Sequence, residues 1–543
     1  MSNKDIARYF NKLAKIMELH EENPFKIRSY ANAYMTLRKI ETPLATIPYD
    51  ELQEIKGVGK AIADKINELL ETGELKTYKK YADITPPGVI EMLDIKGLGP
   101  KKIKIIWQDL GAESIGELIL ACNENRLVAL KGFGLKTQDK ILKQLEYYVD
   151  SQGKFLFANL ESAAKTVLNE LQKSFPDFKF ELTGGIRRLN PIVEKIEILT
   201  TLQNIDDLVS STIAITPNEE ATNLEYNGLP IEFIVSTPEN FGKDLFINNS
   251  SEEFVEECGD IPSFETEIEV FDALNIQFTP PEYRESSVAY EQAKNNSIPS
   301  LIEFEDIKGV VHNHSTYSDG INTLKEMADA CQKAGYEYLV ISDHSQAAFY
   351  ANGLTEDRVL QQFDEIDTLN KSYTDFKIFK SIECDILNDG SLDYDDDFLN
   401  GFDMVIASVH SNLNMDEEKA TNRILKAIEN PKTHMLGHPT GRLLLAREGY
   451  PIDHMKIIDA CAENSVAIEI NANPLRLDLD WTWLPYALEK GIKISINPDA
   501  HSVDQIAYIY YGVCVARKGG LTQENCINSW SLDVFQKWVN SLS

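Results

Sequence analysis

A chain of 543 residues that is 43% apolar is long enough to build three or more domains, each with its own core. The amino end, MSNKDIARYF, carries charges where a secretory signal needs an apolar stretch, and no run approaches the ~18 apolar residues of a membrane span; the expectation is a soluble, cytoplasmic protein with no membrane partner. The net charge of −33 excludes a chain coated in basic surface, but residues 1 to 150 hold 23 Lys and Arg against 22 Asp and Glu, so any DNA-binding surface belongs near the amino end.

Seven widely spaced cysteines with no Cys-x-x-Cys exclude a disulfide framework and a zinc knuckle, and read as buried thiols. The first 150 residues contain a repeat: LQEIKGVGKAIADKI (52–66), MLDIKGLGPKKIKII (92–106) and LVALKGFGLKTQDKIL (127–142). In each, a glycine pair (Gly57 and Gly59, Gly97 and Gly99, Gly132 and Gly134) predicts a tight turn between helices, leaving N–H groups at the second helix's start for a phosphate oxygen. Three copies in one context resemble helix-hairpin-helix modules, which grip DNA backbones without reading sequence.

Residues 1–80, through NPFKIRSYANAY (23–34) and the first hairpin, resemble the amino-terminal lyase domain of X-family DNA polymerases. The resemblance implies that Lys65 occupies the Schiff-base position, with Tyr34 and Lys60 where a 5′ phosphate is held. An ordinary lysine on a helix surface is the competing reading, because a nucleophilic lysine needs a lowered pKa that sequence does not show.

ELTGGIRRLNPIVEKIEILTT (181–201) looks like the palm motif of the same polymerases, in which a Gly-Ser turn precedes two metal-binding aspartates on a strand. Here the serine is Gly185, the aspartates are Lys195 and Glu197, and the third carboxylate, in GLPIEFIV, is Glu232. Asn249, Ser250 and Ser251 stand where the family has Thr-Gly-Ser. An ammonium cannot coordinate a cation, so this palm is expected to survive as scaffold, with an active polymerase using Glu197 and Glu232 as the alternative.

After residue 305, seven strand-like runs end in potential ligands: KGVVHNH, YLVISDH, IFKSIE, MVIASVH, HMLGH, VAIEINAN and IKISINPDAH. Helical periodicity recurs between them, as at 323–334, 357–370 and 417–429. This β-α alternation predicts a closed barrel or doubly wound sheet with its chemistry at the carboxyl ends of the strands. Six of the nine histidines fall at those ends, and alternation puts His312 and His314 on one side of an extended strand. DYDDD (393–397) reads as a hydrated turn.

HNHSTYSDG, ISDHS, IECDI, ASVHS, GHPTGR and NPDAH resemble the motif set of the polymerase and histidinol phosphatase family. That resemblance implies a distorted (β/α)7 barrel holding three divalent ions (Mn2+, Zn2+ or Fe2+) that activate water and neutralise a phosphate. His312, His314, Glu383 and Asp499 would hold the first ion, and Glu383, His410 and His438 the second. Asp319, His344 and His501 would hold the third. Arg442 and Arg476 are candidate phosphate clamps, with structural ion pairs as the alternative.

The whole resembles a bacterial X-family polymerase: a lyase-like domain (1–80), tandem hairpins in a fingers-like region (81–150), an α+β nucleotidyltransferase-like palm and thumb (151–300) and the barrel (305–543). A monomeric 3′-to-5′ exonuclease or abasic-site processing enzyme acting on DNA is expected. A small-molecule phosphomonoesterase is the rival.

Overall fold

The computed structural model describes residues 3–542 except 41, 56, 96, 151–152, 210–212 and 218–222. It divides into two compact units, Met1–Tyr148 and Val149–Ser543. Lys56 and Lys96, which precede two of the glycine turns, lie outside the described residues.

The described part of the amino-terminal unit is built from helices. Asn3–Leu19 buries Ile6, Ala7, Phe10, Leu13, Ala14 and Met17, a stripe at three- and four-residue spacing that faces the core. The three predicted turns are near-copies: Gly57, Gly97 and Gly132 have φ of 93°, 94° and 94°, the left-handed region that only glycine enters without strain. The residue between each glycine pair (Val58, Leu98, Phe133) is buried and pins its turn to the core.

In the second unit, β1 (Phe155–Leu156) pairs with β3 (Ile192–Val193). A five-stranded sheet has the order β2-β4-β7-β6-β5, from β2 (Phe180–Thr183), β4 (Ile196–Thr200), β5 (Ile215–Pro217), β6 (Leu224–Tyr226) and β7 (Leu229–Val235). Only β4 and β7 run parallel, with Glu197 opposite Glu232. The helix Phe157–Ser174 buries Leu160, Ala164, Val167 and Leu171 in this sheet's core. A smaller core follows, where the buried Arg284 bonds Glu267 at 2.6 Å and its guanidinium sits 4.7 Å from the Phe271 ring.

The remainder forms seven parallel strands in sequence order: β8 (Gly309–Asn313), β9 (Tyr338–Ile341), β10 (Lys377–Asp385), β11 (Met404–Ser408), β12 (Met435–Leu436), β13 (Ala467–Asn471) and β14 (Ile494–Asn497). A bridge between Asn313 and Ala500, with His314 N–H donating to the Ala500 carbonyl at 2.9 Å, nearly closes β14 onto β8. The helix Leu532–Ser541 covers the amino end: Phe535 stacks 4.2 Å from Tyr338 and joins Val340, Phe379, Ile406 and Met435 in one apolar cluster. Chemistry is thereby left to the carboxyl end.

The helix Ile509–Lys518, which follows β14, ties the barrel to the palm-like region through one buried cation. Lys518 Nζ donates to Arg188 O at 2.8 Å, Asn190 Oδ1 at 3.0 Å and Glu285 Oε1 at 2.6 Å. Burial pushes its pKa down to about 8, against the pull of Glu285.

Candidate metal centre

The carboxyl ends of the barrel strands gather all nine expected ligand residues into one buried cluster. Glu383, at the end of β10, is its hub: His410 Nε2 lies 3.0 Å and His438 Nε2 2.9 Å from its Oε1, and His344 Nδ1 lies 2.9 Å from its Oε2. His314 Nε2 is 3.0 Å from Asp499 Oδ1, and His501 Nε2 is 3.3 Å from Asp319 Oδ1.

One expectation needs correction. His312 and His314 do not converge through simple strand alternation: β8 shifts register between Val310 and Asn313, and His312 has φ of 61°. His438 and Asp499 also have positive φ, 22° and 50°. Non-glycine residues are strained in that region, and here the surrounding packing imposes the strain to aim the side chains.

The ligand residues also stand close enough to be shared between neighbouring groups. Potential metal-holding groups are His314, Asp319, His344 and His501; His312, His314 and Asp499; and His344, Glu383 and His410. The cause is stacking: the His314 ring lies 4.4 Å from that of His344 and 4.2 Å from that of His501, so it stands between Asp319 and Asp499.

Electrostatics follow from this crowding. Burial alone raises carboxyl pKa values, but His410, His312 and His344 hold Glu383 well below the usual range, and His312 and His314 do the same for Asp499. Burial lowers an imidazole, yet Glu383 and Asp385 outweigh it at His410 and push that pKa up to about 10. His314 goes the other way, depressed by burial and by His501 and His344.

Around the cluster stand buried groups that orient it. Glu469 Oε2 lies 2.6 Å from His312 Nδ1 and accepts from Asn497 at 2.7 Å, while its Oε1 accepts the His438 N–H at 3.1 Å. Asp385 Oδ1 meets His410 Nδ1 at 3.0 Å, and Asn471 donates to Asp499 Oδ2 at 2.9 Å. Sequence reasoning marks Glu469 and Asn471 as strand-end groups, but it misses Asp343 and Asp478. Asp343 accepts from the N–H groups of Ser315 and Ser318 and from Gln362, fixing the approach to Asp319. Asp478 accepts from the N–H groups of Thr440 and Gly441, fixing the exit from His438. A lone Asp inside YLVISDH and another in RLDLD give no spacing signal; only the fold shows what they hold.

The two candidate clamps part company. Arg442 directs its guanidinium to the loop that follows β13, to Asp480 and to the carbonyls of Arg476 (2.9 Å) and Leu477, which is the ion-pair alternative. Arg476 is buried, with Nε 3.7 Å from Asp499 Oδ2, and borders the cluster.

In the amino-terminal unit, Gly59 and Gly99 cap the helices Lys60–Thr72 and Pro100–Gln108, and a Cβ at Gly59, Gly99 or Gly134 would meet nothing within 4 Å. Lys60 is exposed beside the first turn. Lys65 Nζ donates to Thr77 Oγ1 at 2.9 Å, and Tyr34 accepts from Arg38 at 3.2 Å.

In the palm-like sheet, Lys195 is ion-paired with Glu232, and Glu197 Oε2 accepts the Gly185 N–H at 3.1 Å. A Cβ at Gly184 would strike the Glu197 carboxylate. Asn249 Oδ1 accepts from Thr183 at 2.9 Å, Ser250 Oγ donates to Phe246 O at 2.7 Å, and Ser251 caps the helix Glu252–Cys258.

Comparison with known proteins agrees with this anatomy. Residues 1–75 match a helix-hairpin-helix domain, 89–146 a SAM-like helix-hairpin-helix tandem and 311–473 the PHP domain. The DNA polymerase/3'-5' exonuclease PolX of Bacillus subtilis (strain 168) is 35% identical over 98% of each chain. The chain belongs to the PolX family. Membership makes it a metal-dependent DNA-processing enzyme. A probable phosphatase of Thermoanaerobacter sp. (strain X514) is 28% identical over 40% of this chain and 89% of its own, and one of Vibrio atlanticus (strain LGP32) is 28% identical over 36% and 79%.

The barrel of this PolX-family chain fits divalent ions on its own geometry. His312 Nε2, His314 Nδ1, Asp319 Oδ2 and His438 Nδ1 are buried and make no hydrogen bond among the described residues, a costly arrangement for polar atoms unless they ligate. Imidazole and carboxylate together are the donor set of zinc, manganese and iron. Among the described residues, such groups of metal-ligating side chains occur only in the barrel. No helix among them is long and apolar enough to cross a membrane.

Proposed function

We propose that the barrel hydrolyses phosphodiesters at DNA 3′ ends, as a 3′-to-5′ exonuclease or 3′-end and abasic-site processing enzyme, and that nucleotide transfer at the palm is lost or very weak. The observation that carries the reading is the buried set of Glu383 and the eight other ligand residues, with His312 Nε2, His314 Nδ1, Asp319 Oδ2 and His438 Nδ1 among the ligand atoms left without hydrogen bonds. We assign three divalent ions, Mn2+, Zn2+ or Fe2+, to the grouping the family resemblance implies: His312, His314, Glu383 and Asp499; Glu383, His410 and His438; and Asp319, His344 and His501. When bound, such ions supply positive charge that activates water and neutralises the phosphate and the leaving oxygen. Glu469, Asp385 and Asn471 orient the ligands, and Arg476 borders the cluster where a phosphate would approach.

The hairpin turns, with open space over Gly59, Gly99 and Gly134, would hold the DNA backbone, and Lys60 and Tyr34 of the lyase-like segment would hold a 5′ phosphate. Lys65 stands at the family's Schiff-base position. Against nucleotide transfer, Lys195 neutralises Glu232 and the Gly185 N–H holds Glu197. The four segments 1–80, 81–150, 151–300 and 305–543 would act in the cytoplasm as one monomer.

The phosphatase relatives, which match the barrel alone, favour a second reading, hydrolysis of a small phosphomonoester. Digestion of a 5′-labelled primer-template with Mn2+, with and without nucleotides, by wild type and by His312→Ala with His314→Ala separates these. Shortening by wild type alone supports the exonuclease. Nucleotide-dependent lengthening would mean that Lys195 does not silence the palm, and hydrolysis of small esters without digestion of DNA transfers the assignment to the monoesterase.

A further inference from the structure

Phe349 is the most exposed large apolar side chain among the described residues, at 85%. A single exposed ring is ordinary; its mounting is not. It stands on the loop 345–354, which leaves the ligand His344 and returns to it: Leu354 N–H donates to His344 O at 2.8 Å, and Ser345 pairs with Leu354. Ser345 N–H donates to Glu383 O at 3.0 Å, tying the loop's start to the cluster's hub.

The loop is also fastened to the segment before Asp319. Asn352 donates to Tyr317 O and Ser318 O, both at 3.1 Å, and Arg358 joins Asn352 O and Tyr317 O. Ala347 N–H is bonded to Asp393 at 2.7 Å. Gly353 packs so tightly that a Cβ there would strike Ser345 O. A loop so bonded holds its tip in place, and five residues from His344 span at most ~18 Å of chain. On the neighbouring strand end, Ile321 is 53% exposed and its N–H is bonded to His501 O at 2.9 Å.

We infer that Phe349 stacks the terminal nucleobase of the DNA strand whose 3′ phosphodiester enters the barrel, with Ile321 as a second apolar contact at the rim. This rests on the exonuclease reading above. The unit that bears the site is strongly acidic, which weakens any grip on the backbone by cations. Stacking on an aromatic face is indifferent to sequence and independent of counter-ions, so it suits an enzyme that must accept every base.

The test measures digestion, with Mn2+, of single-stranded DNA whose 3′-terminal nucleotide carries a base or is abasic. Wild type is expected to show a KM about ten-fold lower when the base is present. Phe349→Trp keeps that preference. Phe349→Ala raises KM about ten-fold on the base-bearing strand, leaves kcat within about two-fold and no longer distinguishes the two strands. A 3′-terminal 2-aminopurine is quenched on binding wild type and not on binding Phe349→Ala. If Phe349→Ala digests both strands with the wild-type KM, the ring stacks no base and the inference falls while the exonuclease reading stands. If wild type digests neither strand, both fall together.

Discussion

Two regions of the second unit bring carboxylates together on neighbouring parallel strands, and they use them in opposite ways. In the palm-like sheet, Glu197 and Glu232 face each other across β4 and β7, and each is already satisfied, by the Gly185 N–H and by the Lys195 ammonium. In the barrel, Glu383 and Asp499 are buried among imidazoles, several of whose nitrogens have no hydrogen bond. The Lys195–Glu232 pair is partly exposed, with side chains 41% and 48% accessible, so water still solvates both charges. The barrel cluster is buried away from bulk solvent, an arrangement that suits bound cations.

The largest effect that sharpens this contrast comes from the hub. Glu383→Gln removes the carboxylate that His312, His314, His344, His410 and His438 all approach; bound metal falls in elemental analysis and phosphoester hydrolysis drops by about a thousand-fold or more. Next is the seam between the two regions. Lys518→Met leaves Arg188 O and Asn190 Oδ1 without this donor and Glu285 with one cation fewer, and should lower unfolding free energy by about 3 kcal/mol in denaturant titration.

That seam also gives a pH signature. Lys518 titrates near 8 in the folded chain and near its ordinary 10.5 when unfolded, so between those values the unfolded chain binds the extra proton. The cost of burying the ammonium is full below pH 8 and fades as pH rises through that window. Wild type should therefore gain stability from pH 8 to 10.5 relative to Lys518→Met, which lacks the group.

A smaller effect is expected at Glu469→Gln, which keeps every ligand but loses the charge that orients His312; metal affinity in equilibrium dialysis should fall by about 10- to 100-fold. The smallest is Lys195→Ala. An exposed pair contributes little, so stability should change by less than about 1 kcal/mol in thermal unfolding, and phosphoester hydrolysis should match wild type. A large loss there would erase the distinction between the two regions.

Much of the barrel was legible because its signal is local. Each strand is a short apolar run ending in a ligand, and all seven predicted runs are strands of the barrel. The helices 323–334, 357–370 and 417–429 were legible from periodicity, and form as Leu324–Lys333, Glu356–Asn370 and Glu417–Ile428. The glycine turns were legible for a similar reason: left-handed backbone leaves glycine in the sequence. The bent backbone at His312, His438 and Asp499 was not, because packing rather than residue type enforces it.

The sequence by itself determined which residue types stand at the strand ends and where helices and hairpin turns lie. Only the tertiary structure decided which atoms meet: that His314 stands between two carboxylates, that Arg442 binds the loop after β13, and that Asp343 and Asp478 brace the ligand loops. Backbone preference and hydrophobic period act over a few residues and are written in them. Side-chain partners in a buried cluster lie far apart in the chain, 185 positions for His314 and Asp499, and are chosen by packing and by the cost of leaving polar atoms without partners.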